Sequence, residues 1–237
     1  MKKRGFYTEV AYLIGLVGIA LGVGFMERAD FGLSMVVAPA YVLHRAISTI
    51  PGFEFFSFGV AEYTLQAALL ILLTVVVRKF RVSYLFAFVT AVVYGYILDL
   101  ILLLMPQVAA ENIALRVLFF IFGEICCSVG VSMMFHTYIS PEVYELFVSE
   151  AAKTYRLKTS RVKTVYDCVS CAVGIALSFI FFGFGNFVGI GWGTVICALI
   201  NGFIIGWFSK LEDRFFEFRD VLPLRKYFEK QSNTIKS

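Results

Sequence analysis

"GVGFMERADFGLSMVVAPAY", residues 22–41, decides the topology of this chain. An apolar run ends at Met26, and Glu27, Arg28 and Asp30 follow within four residues. The chain then turns apolar again at once, with Pro39 inside the second run. Such a stretch crosses a membrane, lies on one or dips into one, and the rest of the sequence chooses between these.

Composition sets the membrane as the environment. The 237 residues are 59% hydrophobic and 16% charged, with a mean hydropathy of +0.82. Soluble domains are nearer half apolar and a quarter charged. The length suits one polytopic membrane domain over residues 1–209, followed by a basic amphipathic tail over 210–237. Six runs, at 6–26, 58–77, 84–105, 115–136, 165–184 and 190–208, are long enough for a hydrocarbon core of about 30 Å. They do not alternate as barrel strands would, so they are expected to be helices, which satisfy their own backbone groups in lipid. Lys2, Lys3 and Arg4 precede the first run as they would a signal peptide. No small-x-small cleavage pattern follows, and the run is read as an uncleaved first helix.

Basic residues in short loops set the orientation. They cluster before the first span (Lys2, Lys3, Arg4), between the second and third (Arg78, Lys79, Arg81), between the fourth and fifth (Lys153, Arg156, Lys158, Arg161, Lys163) and after the sixth (Lys210, Arg214, Arg219, Arg225, Lys226, Lys230). Loops 106–114 and 185–189 contain no Lys or Arg. Six spans with both termini in the cytoplasm put every cluster inside. If residues 31–50 also crossed, Arg78, Lys79 and Arg81 would move outside and the later loops would flip. The opening stretch is therefore expected to re-enter from the outer face or lie in the interface. Arg28, Asp30 and Pro39 are its candidate gate residues.

An internal repeat sharpens this. Gly22-Val23-Gly24-Phe25-Met26 is similar to Gly130-Val131-Ser132-Met133-Met134, an offset of 108. Tyr94-Gly95-Tyr96-Ile97-Leu98 is similar to Asn201-Gly202-Phe203-Ile204-Ile205, an offset of 107. Glu62-Tyr63 and Tyr166-Asp167 each place an acid beside a tyrosine early in a helix, at a similar offset. The unit is helix, non-crossing segment, helix, helix, with copies at about 6–105 and 115–208. Three spans per copy invert the second, an arrangement common among secondary transporters. The fold expected is all-α integral membrane, with six transmembrane helices in two inverted three-helix repeats.

The counterpart of the opening stretch is then 140–155, on the cytoplasmic side. Ser140 suits an N-cap and Pro141 the first helical position. Tyr144, Phe147, Val148, Ala151 and Tyr155 share one face, with Glu145, Glu150 and Lys153 elsewhere. This is the pattern of an amphipathic helix on the membrane or against the bundle.

"ERADFGLSMVVAPAY", within residues 21–41, resembles the glycine-rich "kADLG…P" signature that opens members of the YitT/YczE-like family of bacterial membrane proteins. "VGIGWGT", residues 188–194, is similar to that family's glycine-threonine motif before its last span. Ser34 to Ala38 depart from the usual tryptophan- or aspartate-containing continuation. The resemblance covers most of the chain. It implies a bacterial inner (plasma) membrane location, the six-helix plan and a transporter. It names no substrate and no catalytic residues.

Ionisable groups inside spans are costly and face a cavity or a partner. Glu124, at the middle of the fourth span, is the first candidate to take up a proton or bind a cationic substrate; the bland alternative is a neutral acid bonded between helices. Glu62 and Asp167, pseudo-symmetric under the repeat, are candidates for lining two half-channels, as against interfacial carboxylates. Asp99 shares that ambiguity. Asn201 can read a polar substrate or bond across helices. Gly189, Gly191, Gly193, Gly202 and Gly206 suit close helix contact or an unwound helix start.

All five cysteines, Cys126, Cys127, Cys168, Cys171 and Cys197, fall within spans, which argues against a disulfide framework. With Met133, Met134 and His136 they could offer soft metal ligands, but ordinary packing is the better reading and no metal site is expected. No Walker A loop, Ser-His-Asp order or HExxH motif is present, and His44 and His136 sit near the membrane faces. An enzyme is not expected, nor a cofactor, nor nucleic acid as a partner. The tail 214–236, which alternates basic and apolar residues and breaks near Pro223, suits an interfacial helix on anionic lipid.

The function expected is secondary transport of a small solute across the inner membrane, proton- or cation-coupled. The alternatives are a substrate-binding membrane subunit of a larger transport complex and a non-transporting scaffold or regulator. The partners expected are the lipid bilayer, a small solute, and another copy or partner subunit.

Overall fold

The computed structural model describes residues 4–107, 112–139, 142–157 and 159–221. Lys2, Lys3, Ser140, Pro141, Lys158 and the tail from 222 onward lie outside them. In chain order the described residues form β1 (Arg4–Tyr7), α1 (Thr8–Ala29), α2 (Ala38–Ile47), α3 (Phe58–Val77), α4 (Ser83–Leu104), α5 (Ile113–Phe135), α6 (Val143–Tyr155), α7 (Thr159–Phe182), α8 (Trp192–Phe215) and β2 (Phe216–Arg219). Six helices, all but α2 and α6, are long and apolar enough to cross a membrane. They mark a multi-pass, all-helical membrane protein. With 10 and 13 residues at 1.5 Å each, α2 and α6 are about 15 and 20 Å long and fall short of a hydrocarbon core.

Local chemistry sets the helix ends. Ser57 caps α3, its Oγ accepting from the Val60 N–H at 3.1 Å. Asn112 caps α5 in the same way through Leu115, and Pro39 occupies the first turn of α2. Asp30 ends α1 in the left-handed region, φ 53°. Two ends differ most from the hydropathy expectation. α7 starts at Thr159 rather than at 165, and α8 runs on past 208 to Phe215 through Lys210, Glu212, Asp213 and Arg214. The charged end of α8 holds because it packs on the end of α5. Glu212 is buried, accepts from the Ser132 hydroxyl at 2.5 Å and stands 3.5 Å from His136 Nε2.

Within the tail, residues 216–219 are strand rather than interfacial helix. β2 pairs in parallel with β1, Arg4 opposite Phe216 and Tyr7 opposite Arg219. Phe6 rests between Phe216 and Phe218, with ring centroids 5.0 and 5.9 Å away. Phe6, expected inside the first span, thus belongs to a clasp that brings the start of α1 and the end of α8 to one end of the bundle.

The centre is the crossing of α1 and α5, which run antiparallel. A Cβ added at Gly22 would lie 2.6 Å from the Gly123 carbonyl oxygen, and one at Gly130 would lie 2.6 Å from that of Gly15. Only glycine lets the two backbones approach so closely. The core around this crossing includes Leu16, Val23, Met26, Tyr94, Leu98 and Cys127. α3 and α4 also pack backbone to backbone, at Gly59 and Gly95.

Candidate functional site

α6 lies lengthwise on α3. Tyr144 Oη donates to Glu62 at 2.8 Å, the Val143 N–H donates to Gln66 Oε1 at 3.0 Å, and Tyr155 Oη donates to the Val76 carbonyl at 2.8 Å. Those partners span 62 to 76, so the N-terminus of α6 stands well along α3 and its C-terminus stands at the end of α3. Tyr144, Val148 and Ala151 of the expected apolar face are buried, Phe147 packs against that cluster, and Tyr155 is exposed. Glu150, expected on the polar face, is also buried. It accepts from Arg81 Nη1 at 2.9 Å and from Tyr84 Oη at 3.0 Å, which pins the α3–α4 turn to α6.

At the other end, residues 31–33 are laid on 189–193. The Leu33 N–H donates to the Gly189 carbonyl at 2.9 Å and the Gly193 N–H donates to that of Phe31 at 2.8 Å. Gly189 sits against the Tyr41 ring and has φ 71°, a region where a side chain would be strained. α2 returns from this contact, with Pro39 buried against Gly174 of α7.

Between these features is a cavity of about 680 Å³. α1, α5, α6, α7 and α8 all line it. α7 and α8 diverge from their connecting turn without extensive contact, so the cavity occupies the gap between them. Its charged and amide lining is Glu124, Glu142, Glu145, Asp167, Lys163 and Asn201. Met26, Met134 and Ile205 contribute apolar wall. Glu124 is buried at the middle of α5, where Oε2 accepts from the Cys197 thiol at 3.2 Å and Oε1 from the Ser128 hydroxyl at 3.4 Å. Ser128 Oγ also stands 3.4 Å from Asn201 Oδ1. Lys163 Nζ bridges Glu145 at 3.3 Å and Asp167 at 3.4 Å. Burial, and then the nearby charge of Glu145, push Glu142 up to about 8.

Three of the residues singled out in the sequence, Glu124, Asn201 and Asp167, therefore meet in one chamber. Glu62 is one layer behind it, fully buried beneath Tyr144. Asp99 is elsewhere. It accepts from the Gly59 N–H at 2.8 Å and from the Ser57 hydroxyl, and so anchors the first turn of α3. Arg28 ties α1 to the end of α4, donating to the Leu102 carbonyl at 2.5 Å and to Glu27 at 2.9 Å. Asp30 is exposed and pairs at 3.4 Å with Arg116, which also donates to the Ala29 carbonyl at 2.7 Å. Cys197 lines the chamber, and the described residues hold no group of three or more His, Cys, Asp or Glu placed to bind a metal.

Gln66 and Glu142 went unread in the sequence. Gln66 carried a signal: it lies four residues after Glu62 and so shares its helix face. Glu142 carried none, because its depth depends on the path of the preceding loop.

A family model described as a family of unknown function (DUF6198) matches residues 6–210, and the chain belongs to that family. No curated protein and no solved structure matches it.

Proposed function

From the geometry of the chamber we propose that this member of a family without an assigned activity is a secondary transporter of a small solute. Its setting is the bacterial inner membrane, with both termini in the cytoplasm and coupling to a proton or cation gradient. The basic clusters support that orientation, as does the clasp that holds the start of α1 and the end of α8 on one side. The resemblance to the YitT/YczE-like family favours the same setting.

The carrying observation is the chamber itself: Glu124, Asp167 and Asn201 line one cavity in a bundle that is shut at one end by 31–33 on 189–193 and parted between α7 and α8. Glu142 is mostly protonated at neutral pH, and the three other carboxyls against one lysine favour a solute with a positive charge, while the methionines and isoleucine give it an apolar wall.

Two inverted repeats, α1–α4 and α5–α8, with α2 and α6 as re-entrant helices, complete the reading. Its support is reciprocity. An offset of 108 carries Gly15 onto Gly123 and Gly22 onto Gly130, so the contact of Gly15 with Gly130 maps onto that of Gly123 with Gly22. Helix pairs match too: α1 with α4 and α5 with α8, α2 with α3 and α6 with α7, α2 with α7 and α6 with α3. One unmatched pair is informative. α3 and α4 are closed at Gly59 and Gly95, while Gly202, the mate of Gly95, faces open space. Alternating access then exchanges the two conditions, closing α8 on α7 and parting α4 from α3.

The test is a thermal-stability screen of the purified protein against small amines, neutral solutes and acids, followed by uptake into liposomes under a pH gradient. A ligand at a hundred times its Kd adds about 2.7 kcal/mol. A cationic hit whose shift and uptake are lost in Glu124→Gln is expected. Hits confined to acids, or uptake indifferent to Glu124→Gln, would refute the reading.

A further inference from the structure

At the chamber wall, where the N-terminus of α6 meets α3, two glutamates are buried without a base. Glu62 is 0% exposed and Glu142 is 8% exposed. Gln66 joins the group, its Nε2 donating to Glu142 Oε2 at 3.2 Å and its Oε1 accepting from the Val143 N–H. Tyr144 Oη donates to Glu62 Oε2. Three buried oxygens there have no hydrogen-bond partner: Glu62 Oε1, Glu142 Oε1 and the hydroxyl of Tyr94, which comes from α4 and is 1% exposed. Tyr94 feels Glu62 and Glu142 electrostatically, as Tyr12 of α1 feels Glu142. Glu145, one turn along α6, is the remaining charged neighbour and is itself held by Lys163. Among the described residues neither Glu62 nor Glu142 has a basic partner.

Two carboxylates in such a place cannot both remain ionised, because each lacks water and each repels the other. We propose that Glu62 and Glu142 form a proton-binding site that couples the chamber to the seat of α6 on α3. Glu142 lines the chamber and is the group that exchanges its proton with chamber water; Glu62, with Gln66 and Tyr144, holds the second position. With the proton bound, the acids hydrogen-bond and α6 stays docked. With the proton lost, the two charges push α6 from α3. Since Tyr144, Glu145, Val148 and Ser149 of α6 also line the chamber, this movement reshapes it. The inference rests on the transport reading for its consequence, but the site stands or falls by itself.

The experiment is infrared difference spectroscopy of the full-length protein in lipid nanodiscs, titrated with pH in the presence and absence of sodium. The expected result is a carboxylic-acid C=O band that disappears as pH rises through the neutral range. It is lost in Glu142→Gln, lost or shifted in Glu62→Gln, and unchanged by sodium at fixed pH. A band that persists in both variants would overturn the site, as would its absence from the wild type. Its removal by sodium would make this a metal-cation site instead. A normal band in a protein that moves no solute would sink the transport reading alone, whereas pH-driven uptake without the band would sink this site alone.

Discussion

At the scale of single residues, the same residue type serves opposite ends according to its partners. Asp99 faces two donors at the head of α3, the Gly59 N–H and the Ser57 hydroxyl. Its role is to cap. Ser57→Ala is expected to cost about 1 kcal/mol, the ordinary loss of an N-cap, and Asp99→Asn should lower thermal stability while leaving solute specificity alone. Uptake and melting measured together decide this, and an altered specificity in Asp99→Asn would return it to the site. Glu142 behaves differently because burial dominates. Raised from 4.5 to about 8, it binds a proton in the folded state that the unfolded chain has released. Its contribution is present in full below about 4.5 and declines as pH rises through about 8. The melting temperature should fall across that window, and Glu142→Gln should flatten the slope. Sequence pattern named Glu62, Glu124, Asp99 and Asp167 alike as acids in or near spans. It could not sort them, since sorting needs the identity of the group facing each one.

Among the helices, glycine placement separates contacts that hold the fold from surfaces free to move. Gly22 lies under the Gly123 backbone, so Gly22→Leu must part α1 from α5. Overpacking of this kind costs about 1–3 kcal/mol where neighbours can yield, and more is expected here because backbone is the obstacle. A Cβ at Gly202 would meet nothing within 4 Å, so Gly202→Leu should melt like the wild type. If α8 closes on α7 during transport, that same variant should abolish uptake. Equal melting with undiminished uptake would remove the closure. The glycine pattern of both spans was visible in the sequence; which glycines touch and which stand free was not. α6 shows the same division. Its amphipathic face was legible, but the burial of Glu150 followed from Arg81 and Tyr84 arriving from another part of the chain.

For the whole molecule, the topology makes a prediction about sides. Phe53, in the α2–α3 connection, and Phe80, in the α3–α4 turn, are both exposed and flank α3. Cysteines placed at 53 and 80 in a background without the native cysteines should label from opposite faces of intact cells, 53 from outside and 80 only after permeabilisation. Labelling of both from one side would mean that α3 does not cross, and the inverted repeat would go with it. The β1–β2 clasp adds a constraint that hydropathy had no means to register. Strands of four residues carry too little pattern, and their pairing joins positions 212 residues apart.

Hydropathy and loop charge alone determined that this chain has six membrane-length helices and that residues 31–50 form no seventh. Both follow from the cost of burying charge or free backbone groups in lipid, a cost set residue by residue. Only the tertiary structure decided that Glu124, Asp167 and Asn201 share a chamber, that Glu142 in its wall adjoins Glu62 behind it and that Arg28 braces two helix ends. Those facts depend on how far α2 and α6 run along α7 and α3, and periodicity fixes the face of a helix but not its depth or its neighbour.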